Sequence, residues 1–309
     1  MATLYITHPA CRLHDMGPWH PESPARLDAI DDQLLMSGVA NVLQPRQALE
    51  AKDDDVLRVH TPEHLHYLQK KSPATDLFAI DSDTMMNSDT LMAARASAGA
   101  GISAVDAIMS GEHQTAFCAV RPPGHHATPD QAMGFCFFNN IAVAAAYALD
   151  VHGLSRVAII DFDVHHGNGT EDAFAGDSRV MMCSFYQHPL FPNIRHDPPA
   201  DNMLNVPVAA GTTGVQLRQV VTDIWMPALR DFQPQMIFVS AGFDAHREDE
   251  IGQLALVESD YAWITEQIVG LAEQTAQGRI VSMLEGGYNL SALARSVVAH
   301  IKALSKVVE

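Results

Sequence analysis

The sequence predicts an α/β fold, an open and mostly parallel sheet with helices on both faces, carried by a single domain over residues 1–309. Three observations predict it. Short apolar runs without polar alternation recur along the chain, segments of helical periodicity separate them, and polar clusters rich in His, Asp and Gly follow them directly. Strands that are apolar on both sides belong to a sheet covered on both faces. Ligands bind beyond the carboxyl ends of such strands, so clusters distant in sequence can meet at one edge. No internal repeat, low-complexity tract or linker composition divides the chain.

Residues 4–7 read as the first strand, followed by a loop rich in His, Pro and Gly. Ser23 offers an N-cap with Pro24 at the first helical position, Leu27, Ile30 and Leu34 line one face, and Gly38 stops the helix. Thr61 and Pro62 open another helix in the same way. A helix over 88–109 is studded with Ala, Gly and Ser, which suits close packing, and it ends at Gly111. A strand over 115–120 leads into R-P-P-G-H-H-A at 121–127 and G-F-C-F-F-N-N at 134–140, and a helix over 141–149 follows. Strands are expected at Val157–Asp161 and 180–184. Between 216 and 229, Leu217, Val220, Val221 and Ile224 recur at helical spacing, with Pro227 kinking the end. A strand over 236–241 runs into S-A-G-F-D-A-H at 240–246. A helix carrying Tyr261, Ile264, Ile268 and Leu271 precedes the last strand, Ile280–Leu284, which runs into E-G-G-Y-N at 285–289 and a terminal helix.

The chain is organised around D-F-D-V-H-H-G-N-G at 161–169. Strand alternation would put Asp161, Asp163 and His165 on one side and Phe162 and Val164 on the other, which makes half of a metal site. Bulk properties bound the rest. The composition is globular, 47% hydrophobic and 18% charged, with no run of about 20 apolar residues to span a bilayer. The N-terminus shows no basic start followed by a long apolar segment, so a cytoplasmic location is expected. Cys11, Cys118, Cys136 and Cys183 form no C-x-x-C pair and read as core thiols in a reducing compartment. A formal charge of −18 disfavours nucleic acid and other polyanions as partners.

Taken together, the five clusters at 121–127, 134–140, 161–169, 240–246 and 285–289, with H-P-E-S-P-A-R at 20–26, resemble the zinc-dependent histone deacetylase superfamily. That superfamily includes acetylpolyamine amidohydrolases and bacterial deacetylase-like amidohydrolases and has an arginase-like α/β fold. The resemblance implies hydrolysis of the acyl amide of an acylated amine, N-acetyl-lysine or a related acyl-lysine first, with an acetylpolyamine amidohydrolase as the alternative. It implies a catalytic metal on Asp163, His165 and Asp244, and an Asp-His-Asp set of this kind suits zinc while also accepting iron(II) or manganese. By the same resemblance His126 is the base, paired with Asn168, which sides with the class II-like and bacterial members. His125 is its electrostatic partner, held by Asp161, and Tyr288 donates to the oxyanion.

Gly134 and Phe135 match the wall of an acyl-lysine tunnel, Phe191 the opposing aromatic, His20 and Pro21 the rim, and Arg26 a buried arginine beneath the pocket; Glu22 reads as structural. A potassium ion is implied on Asp161, Asp163, His165, Ser184 and Phe185. Phe174 and Val180 match parts of a second cation site from which Asp177 departs. Acetylpolyamine-selective relatives carry an acidic residue seven positions after the second Asp ligand, whereas this chain has Ile251 there, with Glu248, Asp249 and Glu250 near enough to receive a cation. An arginase-like ureohydrolase would need an Asp-x-His-x-Asp pattern that is absent, and an inactive acyl-amine binder would lack Tyr288 or the tandem histidines. A peptide or small acyl-amine is the expected partner, and a homo-oligomer is left open. His60, His64, His66, His113 and His188 have no convergent partners and read as surface or core residues.

Overall fold

The computed structural model describes residues 2–194 and 198–307. Ten strands are found among these residues: β1 Thr3–Thr7, β2 Leu43–Gln47, β3 Phe78–Ala79, β4 Met85–Met86, β5 Thr115–Cys118, β6 Val157–Asp161, β7 Val180–Gln187, β8 Met203–Val208, β9 Ile237–Ala241 and β10 Ile280–Leu284. Eight of them form one sheet in the order β2-β1-β5-β10-β9-β6-β7-β8, and every neighbouring pair is parallel. The four central strands, β5, β10, β9 and β6, are buried at every residue, as their unbroken apolar runs require. They are also the four strands that the His- and Asp-rich clusters follow. Adjacency in the sheet therefore gathers those clusters at the carboxyl edge.

Both edge strands went unread in the sequence, and each carries a proline. Pro45 sits in β2 opposite Tyr5, and Pro207 sits in β8 opposite Tyr186. A residue without an N–H is tolerated where one side of the strand has no ladder to complete, and it masks the strand in the sequence.

The helices are α1 Ala25–Met36, α2 Asp53–Val56, α3 Pro62–Lys71, α4 Thr90–Met109, α5 Asn140–Asp150, α6 Asn168–Phe174, α7 Gly214–Val220, α8 Met226–Phe232, α9 Glu258–Thr275 and α10 Leu290–Leu304. They cover both faces, with α4 against α5 in one group and α1, α10 and α9 packed together in another. The small residues of α4 have a steric reason: a Cβ at Gly101 would stand 2.7 Å from the Ala144 Cβ on α5 and 2.9 Å from the Met283 sulfur on β10. Glycine inside a helix costs about 1 kcal/mol relative to alanine, and close packing of helix on sheet offsets that cost.

Two helix expectations are corrected. α1 begins at Ala25, with Pro24 rather than Ser23 at the cap position. The segment expected as one helix over 216–229 is α7, a π-helical turn at Val221–Trp225, and α8. The wider turn rotates the buried face, so Trp225 and Met226 enter the core while Ile224 is left 39% exposed. Pro227 lies at the start of α8 and does not end the helix. Among the described residues no helix is long and apolar enough to cross a membrane.

Candidate functional site

β6 ends at Asp161, and the chain then turns sharply enough to separate the three polar side chains that alternation had grouped. Asp163 and His165 face one another, whereas Asp161 turns to His125, whose Nδ1 stands 2.9 Å from its Oδ2. Phe162 and Val164 are fully buried on the opposite side, as expected. Asp244, on the loop after β9, completes the centre. The His165 Nδ1 stands 3.0 Å from Asp163 Oδ1 and 3.1 Å from Asp244 Oδ2.

The other carboxylate oxygens are held from behind. Gly286 N donates to Asp163 Oδ2 at 2.9 Å and Val164 N to Asp244 Oδ1 at 2.9 Å. The packing admits no side chain there: a Cβ at Gly286 would lie 2.0 Å from Asp244 Oδ2, and one at Gly242 2.0 Å from Asp163 Oδ2.

These residues fit a divalent ion. Ligand atoms about 2 Å from a tetrahedral ion lie roughly 3.3 Å apart, close to the spacing seen. Two buried carboxylates and one imidazole are, moreover, a donor set with excess negative charge. Asp163, His165 and Asp244 also form a group of buried potential ligands whose donor atoms lie within 4.8 Å of one another. Burial and the Asp163 charge push Asp244 up to about 7. Burial opposes protonation of His165, yet Asp163 and Asp244 together raise it to about 10, which is the position that a cation would share.

The surroundings of the tandem histidines push their protonation in opposite directions. Burial works against charge on His125, but Asp161, Asp163 and Glu285 outweigh it and hold the imidazole well above its usual range. His126 is pushed well below by burial and then by the charges of His125 and His165. Its Nδ1 meets Asn168 Oδ1 at 2.8 Å; since an amide oxygen only accepts, Nδ1 carries the proton and Nε2 keeps its lone pair. Burial, followed by the Asp244 charge, raises Tyr288 well above a free phenol, so it stays a hydroxyl donor at neutral pH.

The aromatic residues assigned to a tunnel do surround this centre. Phe191 stands edge-on to His126 at 5.0 Å, Phe135 edge-on to Tyr288 at 5.9 Å, and His20 edge-on to Phe135 at 4.7 Å. Gly134 has φ +56°, and a Cβ there would stand 2.6 Å from the His126 ring and 2.8 Å from Phe191. Pro21 and Ile251 line a crevice of about 330 Å³ that reaches Tyr288. A groove of about 820 Å³ along α9 and α10 touches none of these residues.

Ser184 pairs with Asp161 across β6 and β7, with Phe185 next to it, so the residues matched to a monovalent cation are neighbours. At the residues matched to parts of a second cation site the structure shows an amide. Asn202 Nδ2 lies 2.8, 3.1 and 3.0 Å from the carbonyls of Phe174, Asp177 and Val180, so an amide occupies the position between them. Asp249 is corrected: its carboxylate is taken up by backbone N–H groups, and Glu248 pairs with Arg295, so neither is free for a substrate cation.

Sequence reasoning missed two supports. Glu285 Oε2 accepts from Gly124 N at 2.7 Å and His125 N at 3.2 Å, fixing the histidine loop. Arg121 donates to the Glu22 carboxylate, which Arg26 also meets at 3.1 Å, and both arginines and the glutamate are fully buried. Arg26 continues to the Gly287 carbonyl at 2.7 Å and lies under the Tyr288 ring at 5.0 Å. His60 and His64 are buried, where His60 accepts from Asn139 N and His64 meets the Phe137 carbonyl, each at 2.8 Å.

Known proteins resemble this chain over most of its length. A model of the histone deacetylase domain matches residues 20–304. A histone deacetylase-like amidohydrolase of Pseudomonas aeruginosa is 39% identical over 297 residues, covering 93% of this chain and 77% of that protein. A probable deacetylase of Archaeoglobus fulgidus is 36% identical over 301 residues, covering 94% and 82%. The crystal structure of the HDA15 HD domain superposes with a TM-score of 0.93 at 32% identity, covering 99% of this chain and 90% of that one.

Proposed function

The chain belongs to the histone deacetylase family, and from that premise we propose that residues 1–309 act as one catalytic domain hydrolysing the acyl amide of acylated lysine. Family membership supports deacetylase or amidohydrolase chemistry. The observation that carries the finer reading is the pairing of two adjacent imidazoles with unlike partners, Asp161 and Asn168, beside the Asp163, His165 and Asp244 group.

Asp163, His165 and Asp244 would hold zinc, with iron(II) or manganese able to substitute. The bound ion supplies Lewis acidity toward the amide carbonyl and makes a water more acidic. His126 takes the proton of that water at Nε2 and returns it to the leaving amine. His125, charged and held by Asp161, stabilises the negative charge that develops. Tyr288 donates its hydroxyl to the carbonyl oxygen as it becomes an oxyanion. Gly134, Phe135 and Phe191 enclose the aliphatic stem, and His20, Pro21 and Ile251 form the mouth. Asp161, Asp163, His165, Ser184 and Phe185 would hold potassium, whose charge would be set against the Asp161 end of β6. The buried, unpaired thiols support action in a reducing compartment such as the cytoplasm.

Ile251 at the mouth favours a lysine-like substrate over a polyamine, because an apolar side chain stands where acetylpolyamine-selective relatives carry an acid, although the exposed Glu250 lines the same crevice. The test is turnover of acetyl-lysine peptides, longer acyl-lysines and acetylated polyamines, before and after chelation and after restoring zinc, iron(II) or manganese. Metal-dependent turnover of acyl-lysine is expected. Turnover confined to acetylated polyamines would overturn the substrate, and full turnover after exhaustive chelation would overturn the metal mechanism.

A further inference from the structure

Five residues join β10 to α10, and nothing in their own sequence makes them stiff. Gly286 and Gly287 precede Tyr288, and Gly287 has φ +120°. The strand ends at Leu284, with one further bond from Glu285 N to the Ala241 carbonyl at 3.0 Å, and the helix begins at Leu290. The loop is instead gripped by side chains. Arg26 donates to the carbonyls of Glu285 and Gly287. Asp249 accepts the N–H groups of Tyr288 at 2.7 Å and Asn289 at 2.9 Å on a single oxygen, Oδ2. Its other oxygen accepts Ile251 N at 3.1 Å. Asn289 Nδ2 adds a bond to the Glu248 carbonyl at 3.1 Å.

Asp249 is only 6% exposed, and its hydrogen bonds from Tyr288, Asn289 and Ile251 all come from backbone N–H groups. A charged acceptor shared by adjacent amides fixes the direction in which the Tyr288 Cα presents its side chain. The Phe135 ring, 5.9 Å away, and the Arg26 guanidinium, 5.0 Å away, then confine the phenol.

We propose that Asp249 is a positioning residue that sets the reach of the Tyr288 hydroxyl and, by holding Ile251 with its second oxygen, ties that reach to the mouth of the site. It touches no reacting atom. Its contribution is geometric: hydrogen-bond donors act on a developing charge only when pre-aimed, and a displacement of about 1 Å costs on the order of a hundredfold in rate. The inference rests on the role proposed above for Tyr288.

The test is a double-mutant cycle on the zinc-loaded enzyme with an acetyl-lysine peptide, using wild type, Asp249→Asn, Tyr288→Phe and the double variant. Asp249→Asn is expected to keep its metal and lose about ten- to a hundredfold in kcat with less than about a threefold change in KM. In the Tyr288→Phe background the same substitution is expected to cost less than about twofold, because the hydroxyl that it aims is gone. Glu248→Gln, which loses only the surface pair with Arg295, keeps the wild-type kcat.

Multiplicative losses in the cycle would overturn the positioning role, as would a wild-type kcat in Asp249→Asn beside an inactive Tyr288→Phe. Wild-type turnover in Tyr288→Phe would instead remove the role of Tyr288 itself. Should Asp249→Asn not fold, amide exchange of the wild-type enzyme decides. Slow exchange at Tyr288 and Asn289 is expected, and exchange at the rate of a free loop overturns the proposal.

Discussion

Replacing Glu22 by Gln is expected to weaken the whole rim of the site without touching a reacting group. The carboxylate is fully buried and meets Arg121 Nη2 at 2.7 Å, Arg26 Nη1 at 3.1 Å and His14 Nε2 at 3.4 Å. Arg121 in turn holds the carbonyls of Cys11 at 2.8 Å and His14 at 3.0 Å, so the glutamate joins three segments of chain. The amide keeps the shape but leaves two guanidinium charges in the interior without an anion. Breaking a buried pair from one side costs about 3–5 kcal/mol. For a chain of this size 1 kcal/mol moves Tm by about 2 °C, so a fall of about 6–10 °C is expected by calorimetry at pH 7. The pH dependence has a definite sign. Burial raises the Glu22 pKa, but Arg121, His14 and Arg26 outweigh it and hold the group well below 4.5. A depressed folded pKa gives stability that is complete above the unfolded pKa and is lost as pH falls through the folded value. The gap between wild type and Glu22→Gln therefore narrows below about pH 4. A variant that melts within about 1 °C of wild type at pH 7 would refute the reasoning.

Four further outcomes are expected. His126→Ala loses about 10²- to 10⁴-fold in kcat and Tyr288→Phe about 10²- to 10³-fold, with metal content unchanged by elemental analysis, and normal turnover in either removes that residue from the mechanism. Gly134→Ala, whose new Cβ meets His126 at 2.6 Å and Phe191 at 2.8 Å, loses at least about tenfold in kcat/KM while remaining folded by circular dichroism. Chelation lowers Tm, since an ion at about 100 times its Kd stabilises the fold by about 2.7 kcal/mol, and restoring zinc reverses the shift in a thermal scan. Cys11, Cys118, Cys136 and Cys183 are all buried, and burial pushes Cys118 and Cys183 well above the usual thiol range; a thiol reagent therefore labels none of the four before denaturant is added.

The sequence disclosed the parts of this molecule whose residue types are themselves the signal. Unbroken apolar runs reveal β5, β6, β9 and β10, strand alternation points to Asp163 and His165 as half of a metal site, and the family resemblance adds Asp244 and the tandem histidines. What stayed hidden depends on partners without sequence identity. Glu285 and Asp249 bind backbone N–H groups, and any residue can supply those. The π turn at Val221–Trp225 follows from how Trp225 packs on Phe185, with ring centroids 5.5 Å apart, and no local periodicity encodes that contact. Asn202 fills the gap between three carbonyls from 22 to 28 residues away. The edge strands, L-Q-P-R-Q and M-L-N-V-P-V, stayed hidden because neither is an unbroken apolar run and each holds a proline, which an edge strand tolerates.

The division of labour between His125 and His126 shows why one part of the site was legible in such detail. Distance does not distinguish them, since Asp161 lies 2.9 Å from one Nδ1 and Asn168 2.8 Å from the other. Burial is nearly the same too, at 2% and 4% exposure. What differs is the partner. A carboxylate returns more to a buried imidazole than burial removes, so His125 is held charged; an amide cannot, so His126 stays neutral beside a cation that lowers it further. Two identical rings 4.1 Å apart are thus pushed toward opposite protonation, His125 by Asp161 with Asp163 and Glu285 behind it, and His126 by burial and by the charges of His125 and His165. Those two residues can be read directly from D-F-D-V-H-H-G-N-G. The family resemblance implied which partner each histidine meets, and the geometry supplies the two distances on which the base and the electrostatic partner rest.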